Sequence, residues 1–324
     1  MKRYLPIFVL LIMAMTLVHC GETASKTAPT AQAEPTKPKT IEEGERLLDI
    51  NGSKVFTKVV GKGEPVLVVH GGPSFHHGYL LPHFEDLAKS YQLIFYDQQG
   101  CGRSNFNSDT AKISIAGMVD DIEGLRKELG IEKLNLLGHS WGGLLAMNYA
   151  VSFPENLKRL LLISPTSGSS AMRKRDEDLM LQRDSKEDKA RMQAVQQTKA
   201  FEDRLPSAYE EMYSIGFERQ FFDKSLVSKL DLKLPDNFYR NSLILFRFMG
   251  PDLQYYNLHG DLDLVKVPVL LLYGDYESTA LESRAVLKAS FTNSEYVEIK
   301  DAGHFPFIEK PAEFLTVVKQ FMAK

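Results

Sequence analysis

The chain has 324 residues, of which 44% are hydrophobic and 25% charged, an ordinary globular balance with enough length for a sizeable core. Its formal net charge of -3 gives no electrostatic case for a nucleic-acid partner. Two cysteines, Cys20 and Cys101, are too few for a disulfide framework and sit in no zinc-like spacing, and nothing in the composition calls for a metal or another cofactor.

Residues 1–20 read as a targeting segment. Lys2 and Arg3 open it, and Leu5 to Val18 is an almost unbroken apolar run. That suits a signal-peptide core of roughly 7–15 residues and falls short of the about 20 that span a membrane. Leu17-Val18-His19-Cys20, followed by Gly21 and Glu22, resembles the lipobox of a bacterial lipoprotein, which implies a lipid anchor on Cys20. His19 departs from that pattern, which prefers Gly, Ala or Ser. The alternative is a plain secretory signal and a soluble periplasmic or secreted protein. Residues 21–44 are rich in Thr, Ala, Pro and Lys without apolar periodicity, and read as a flexible linker.

From residue 45 strands and helices alternate. Arg46 to Ile50 and Lys54 to Val60 flank Asn51-Gly52, a strong hairpin signal. Pro65 to Val69 is a short apolar strand that enters His70-Gly71-Gly72-Pro73. A helix is expected over Tyr79 to Lys89, a strand over Gln92 to Tyr96, and a loop from Asp97 to Ser104. Ser114 to Leu129 is an amphipathic helix with Ser114 as N-cap and Gly130 as its stop. Lys133 to Leu137 is a strand, Gly138-His139-Ser140-Trp141-Gly142-Gly143 a turn, and Leu144 to Val151 a helix. Leu160 to Ile163 is another strand. Residues 165–261 break the rhythm. Met172 to Arg204 is helix-like with charges of both signs, and aromatics then cluster, among them Tyr209, Tyr213, Phe217, Phe221, Phe238 and Phe246. This stretch reads as an inserted helical cap whose aromatics mostly form its own core. The alternation resumes with strand Val267 to Tyr273, helix Ala280 to Ser290, strand Glu295 to Ile299 and helix Pro311 to Met322. The pattern predicts a mostly parallel sheet with helices on both faces, built from residues 45–164 and 262–324.

The turn around Ser140 is Gly-x-Ser-x-Gly between a strand and a helix, the context that exposes a nucleophilic hydroxyl above a sheet. A serine needs a base, and His304 lies in the last loop, after Asp301-Ala302-Gly303. Two acids compete to orient it. Glu277 stands three places after Gly274 and is favoured; Asp275 is the alternative, with a turn-capping role as its plainer reading. The amides of Gly72 and Trp141 are expected to form an oxyanion hole. His70 is read as a structural hydrogen-bonding group. His76 and His77 suit an exposed loop pair better than a metal, and Cys101 a structural thiol.

His70-Gly71-Gly72-Pro73, Asp97-Gln98-x-Gly100-Cys101-Gly102-Arg103-Ser104, Gly138-x-Ser140-Trp141-Gly142-Gly143 and Gly303-His304-x-Pro306 together resemble the proline iminopeptidase group of α/β-hydrolases. The resemblance spans residues 45–324 and is weakest in the cap. It implies a serine hydrolase that needs no cofactor and releases an N-terminal residue, often proline, from short peptides or small amides. Three positions depart from the group. Ser74 stands where glycine is usual, Gln99 where arginine is usual, and Leu253 where a glutamate is expected to bind the substrate amine. Asp252, next to that position, is the first substitute as a substrate-binding acid, ahead of Glu210, Glu211 and Glu218. If Leu253 alone faces inward, a carboxylic ester hydrolase or amidase fits better. A non-catalytic ligand-binding protein is the alternative from another class.

Overall fold

The computed structural model describes residues 41–324; the stretch read as a targeting segment, Cys20 and most of the stretch read as a linker lie outside the described residues. The chain opens with the hairpin β1 (Gly44–Ile50) and β2 (Ser53–Val60), closed by Asn51 and Gly52 at φ values of 50° and 91°. That left-handed pair matches the twist of the strands it joins. There follow β3 (Pro65–Val69), α1 (Leu81–Ala88), β4 (Gln92–Tyr96), α2 (Ile115–Glu128), β5 (Leu134–His139), α3 (Trp141–Ser152) and β6 (Leu157–Ile163). The segment between β6 and the next strand is helical, with α4 (Ser170–Leu181), α5 (Lys186–Gln196), α6 (Lys199–Glu202), α7 (Pro206–Glu218) and α8 (Phe238–Gln254). The chain ends with β7 (Val269–Gly274), α9 (Leu281–Ser290), β8 (Ser294–Ile299), α10 (Pro306–Glu309) and α11 (Pro311–Met322). No helix among the described residues is long and apolar enough to cross a membrane.

The eight strands form one sheet in the order β1-β2-β4-β3-β5-β6-β7-β8. β1 with β2 and β2 with β4 pair antiparallel, and every other pair is parallel. Strand residues alternate between faces, so continuous apolar runs feed two cores. Leu67, Val69, Leu136, Leu160 and Leu271 face α2 and α3, whereas Val66, Val68, Leu137, Leu161 and Leu270 face the side of α1 and α11. Residues of the helical segment between β6 and β7 join both: Leu245 and Met249 of α8 the first, Phe221 and Phe238 the second.

The helix after Ser140 begins at Trp141, three residues before the expected start at Leu144. Gly142 and Gly143 dilute the helical signal, yet their size is required there. A Cβ on Gly142 would stand 2.2 Å from the Val69 carbonyl oxygen, and one on Gly143 2.5 Å from the Pro165 side chain. The absence of side chains lets the start of α3 lie against the end of β3 at Gly142 and against Pro165, just beyond β6, at Gly143.

Candidate active site

The loops that leave the C-terminal ends of β3, β5, β7 and β8 carry Gly71–Gly72, Ser140, Glu277 and His304. This is the rim where ligands bind on open parallel sheets. Ser140 has φ 55° and ψ -120°. A non-glycine residue is rarely held there. Its amide donates to the Ile163 oxygen at 3.0 Å, and its carbonyl accepts from Gly143 at 2.9 Å and Thr166 at 3.0 Å, which fixes the turn. The amide of Trp141 opens α3, where backbone donors lack intrahelical acceptors.

His304 is held by its backbone amide on the Gln220 oxygen at 2.8 Å. Its Nδ1 lies 2.9 Å from Oε2 and 3.1 Å from Oε1 of Glu277, which leaves Nε2 for the nucleophile side. Glu277 is buried, and Oε1 also accepts from the Ser278 amide at 2.7 Å. Burial alone would raise its pKa, but the facing His304 and these hydrogen bonds outweigh it and hold the carboxyl down at about 2. Asp275 is exposed and reaches the Ala302 amide at 3.4 Å, so the structure brings Glu277 and not Asp275 to His304.

His70 is buried and hydrogen-bonded on both ring nitrogens. Nδ1 donates to the Gly71 oxygen at 2.7 Å, and Nε2 accepts from the Gln98 amide at 3.1 Å. Burial lowers its pKa to about 4, so it stays neutral and shapes the Gly71–Gly72 turn, where Gly72 has φ 148°. Gln98 Oε1 accepts from the Trp141 indole at 2.8 Å and ties that turn to α3.

A second network was not legible in the sequence. The Gly71 amide donates to the Tyr79 hydroxyl at 2.8 Å, which lies 2.6 Å from Nδ1 of His139. Nε2 of His139 is 3.0 Å from the His304 carbonyl oxygen. Burial, with the nearby His304, lowers the His139 pKa to about 3, so a neutral ring donates from Nε2 and accepts at Nδ1. His139 was visible only as the variable residue of the Gly-x-Ser turn, and nothing in the spacing marked Tyr79.

Ser140, His304, Gly72 and Trp141 line a cavity of about 650 Å³, within the usual range for small-ligand sites. Its other wall is the inserted helices. Tyr209, Tyr213, Phe217 and Phe246 supply rings, Met180, Met192 and Met212 supply thioethers, and Arg173, Asp176, Glu177 and Arg219 supply charge. Several of the aromatics read as cap core thus line the cavity. Leu253 also lines it, whereas Asp252 does not: its Oδ2 accepts from the Ile115 amide at 2.8 Å, at the start of α2. That corrects the expectation that Asp252 faces the nucleophile. Glu210 accepts from the Leu234 amide at 2.6 Å, Glu218 pairs with Arg191 at 2.8 Å, and Glu211 is exposed; none of them lines the cavity.

His77 is buried, not part of an exposed pair, because Asp97 draws both its amide, at 3.1 Å, and its Nδ1, at 2.6 Å. His76, His77 and Asp97 are close enough to share an ion. Both nitrogens of His76 are engaged, by the Gly78 amide at 3.1 Å and the Lys233 oxygen at 2.8 Å, and Asp97 also takes the Arg103 amide at 3.0 Å. Cys101 is buried with its thiol 3.1 Å from the Pro73 oxygen, and burial raises its pKa.

A family model described as the alpha/beta hydrolase fold matches residues 64–311. A proline iminopeptidase of Heyndrickxia coagulans is 27% identical over 294 residues, covering 86% of this chain and 98% of its own. One of Saccharolobus solfataricus is 26% identical over 319 residues, covering 87% and 92%. Among solved structures, the proline iminopeptidase of Mycobacterium smegmatis superposes with a TM-score of 0.63 at 22% identity, covering 86% of this chain and 98% of that one. A thermophilic esterase of Thermogutta terrifontis also gives 0.63, at 21% identity and the same coverage. Likeness at that level describes the fold alone.

Proposed function

Because the chain belongs to the α/β-hydrolase fold family, we infer that Ser140, His304 and Glu277 serve it as nucleophile, base and orienting acid of a serine hydrolase. Ser140 attacks an acyl carbonyl while Nε2 of His304 takes the hydroxyl proton. Glu277 fixes the tautomer through Nδ1 and stabilises the imidazolium. The amides of Gly72 and Trp141 donate to the oxyanion. His304 gives its proton to the leaving group, and a water that it then deprotonates releases the acyl-enzyme.

The activity we propose is that of an iminopeptidase-like aminopeptidase, which releases an N-terminal residue from short peptides or small amides. The observation that carries it is Asp176. This carboxylate is buried on α4, lines the cavity of Ser140, and has only neutral partners among the described residues. Oδ1 accepts from the Ala280 amide at 3.1 Å and the Ser283 hydroxyl at 2.9 Å, and Oδ2 from the Ser167 hydroxyl. The neighbouring cations are already engaged, Arg173 with Glu177 and Arg219 with Asp184. A buried charge without a counterion is costly, and the free ammonium of a peptide supplies one. The match to proline iminopeptidases over most of their length supports the same reading.

A second reading, a carboxylic ester hydrolase or amidase, is favoured by Leu253, an apolar lining residue where the resemblance calls for a glutamate. Proline β-naphthylamide, its N-acetylated form and a p-nitrophenyl ester distinguish the two. The free amine is expected to be required, and Asp176→Asn to lower kcat/KM on the order of 10–10³-fold. Equal or better cleavage of the acetylated amide or of the ester moves the assignment to the second reading.

We also propose export and anchoring through Cys20, supported by Lys2, Arg3, the apolar run and the cysteine that follows it. Each buried lipid methylene contributes about 0.8 kcal/mol to such an anchor. Mass spectrometry of the mature N-terminus is expected to find lipid on Cys20. An unmodified terminus at any later residue rules the anchor out.

A further inference from the structure

The loop that carries Glu277 is gripped from the inserted segment at both ends. At the far end, Asp176 of α4 holds the Ala280 amide and the Ser283 hydroxyl, where α9 begins. At the near end stands Arg183, two residues beyond the last residue of α4. Its Nη1 donates to the Tyr276 carbonyl at 2.9 Å and its Nη2 to the Glu277 carbonyl at 3.0 Å. Its guanidinium also lies 4.5 Å above the Tyr276 ring. Nη1 reaches the Arg219 carbonyl at 3.4 Å as well, which ties α4 to the end of α7. Among the described residues Arg183 pairs with no carboxylate, so its charge is directed at backbone oxygens and a ring.

The sheet side of this loop holds it by its amides. Those of Asp275, Tyr276 and Glu277 donate to the oxygens of Ile299 at 2.9 Å, Ala302 at 2.9 Å and Gly274 at 3.2 Å. The two carbonyls that point the other way take their donors from Arg183. A planar fork is suited to such two-point contact, and lysine is not its equivalent. The Glu277 carboxylate is itself bound to this loop, Oε1 accepting from the amides of Ser278 at 2.7 Å and Thr279 at 3.4 Å, so where it meets His304 follows the loop backbone.

We infer that Arg183 is a positioning residue of the catalytic triad, fixing the backbone of Glu277 from the inserted segment so that the carboxylate meets Nδ1 of His304. The inference rests on the assignment of Ser140, His304 and Glu277 made above. It makes the helical segment part of the machinery that orients the base.

The test is a double-mutant cycle read as the second-order rate of labelling of Ser140 by a fluorophosphonate, normalised to the amount finally labelled. Arg183→Ala is expected to slow labelling by about 10–100-fold, the scale of a small misplacement of a catalytic group. Arg183→Lys keeps the charge with a single-point donor, folds as the gentler change, and is expected to fall between alanine and wild type. In a Glu277→Ala background, Arg183→Ala is expected to change the rate by less than about twofold, since residues acting through one another are not additive. Equal fold-losses in the two backgrounds overturn the inference, because a merely structural role adds independently. Wild-type rates for both Arg183 variants overturn it as well. Failure of the underlying assignment looks different: Ser140 stays unlabelled in the wild type, or Glu277→Ala labels at the wild-type rate, and the role of Arg183 falls with it.

Discussion

Between Gly274 and Ser278 the chain leaves β7 and turns so that alternate side chains part company: Asp275 to the surface, Glu277 into the interior beneath His304. Glu277→Ala should therefore lower kcat by a factor on the order of 10⁴, the size seen when a serine protease loses its orienting carboxylate. Asp275→Ala should lower it far less, and steady-state kinetics showing the reverse ranking would identify the other acid as the partner of His304. At this scale the sequence was legible where a motif carries its own geometry. Ser140 needs small neighbours, and His304 follows the last strand. Asp176 was not legible, because it sits in Arg173-Lys174-Arg175-Asp176-Glu177-Asp178, where only the fold decides which carboxylate turns inward. The substitution of Asp252 for its neighbour failed for a related reason. Both belong to α8, and successive residues on a helix point about 100° apart. Adjacency in sequence therefore separates the two side chains instead of interchanging them.

The order of strands and helices was readable because apolar runs bounded by glycine turns mark buried strands with little ambiguity. Boundaries were less so. The stretch from Met172 to Arg204, read only as helix-like, holds three helices, each opened by a hydroxyl cap: Ser169, Ser185 and Thr198. Ser185 with Asp188 forms a capping box. That signal was present in the sequence, but dense charge of both signs hides the helical periodicity around it. The break it marks has a use. A continuous helix would fix the direction of residue 183 by the helical repeat, whereas the interruption between α4 and α5 lets Arg183 turn to the Tyr276 and Glu277 carbonyls.

Across the molecule, electrostatics set a pH window for stability away from the cavity. Asp121 of α2 is buried, with the Asn51 amide nitrogen at 3.1 Å and that of Gln99 at 3.5 Å. Gln99 occupies the position where the resemblance calls for arginine, and it offers an amide instead of a cation. Burial pushes the Asp121 carboxyl up to about 7. Its folded pKa thus exceeds its unfolded value, so its contribution to stability is full below about pH 4 and is lost as the pH rises towards 7. Asp121→Asn should remove that slope, and denaturant unfolding of both proteins from pH 4 to 8 should give a difference that shifts by a few kcal/mol in favour of the variant as pH rises. A pH-independent difference would contradict this account. The same whole-molecule view bears on selectivity. Met180, Met192 and Met212, from the helical segment, line the same cavity as Ser140. Unbranched thioethers repack around guests of different shape at little cost. On the role proposed for Asp176, with the adjoining wall yielding, the enzyme would ask whether a chain end is present more strictly than which residue occupies it, a disposition suited to mixed peptide debris more than to one privileged sequence.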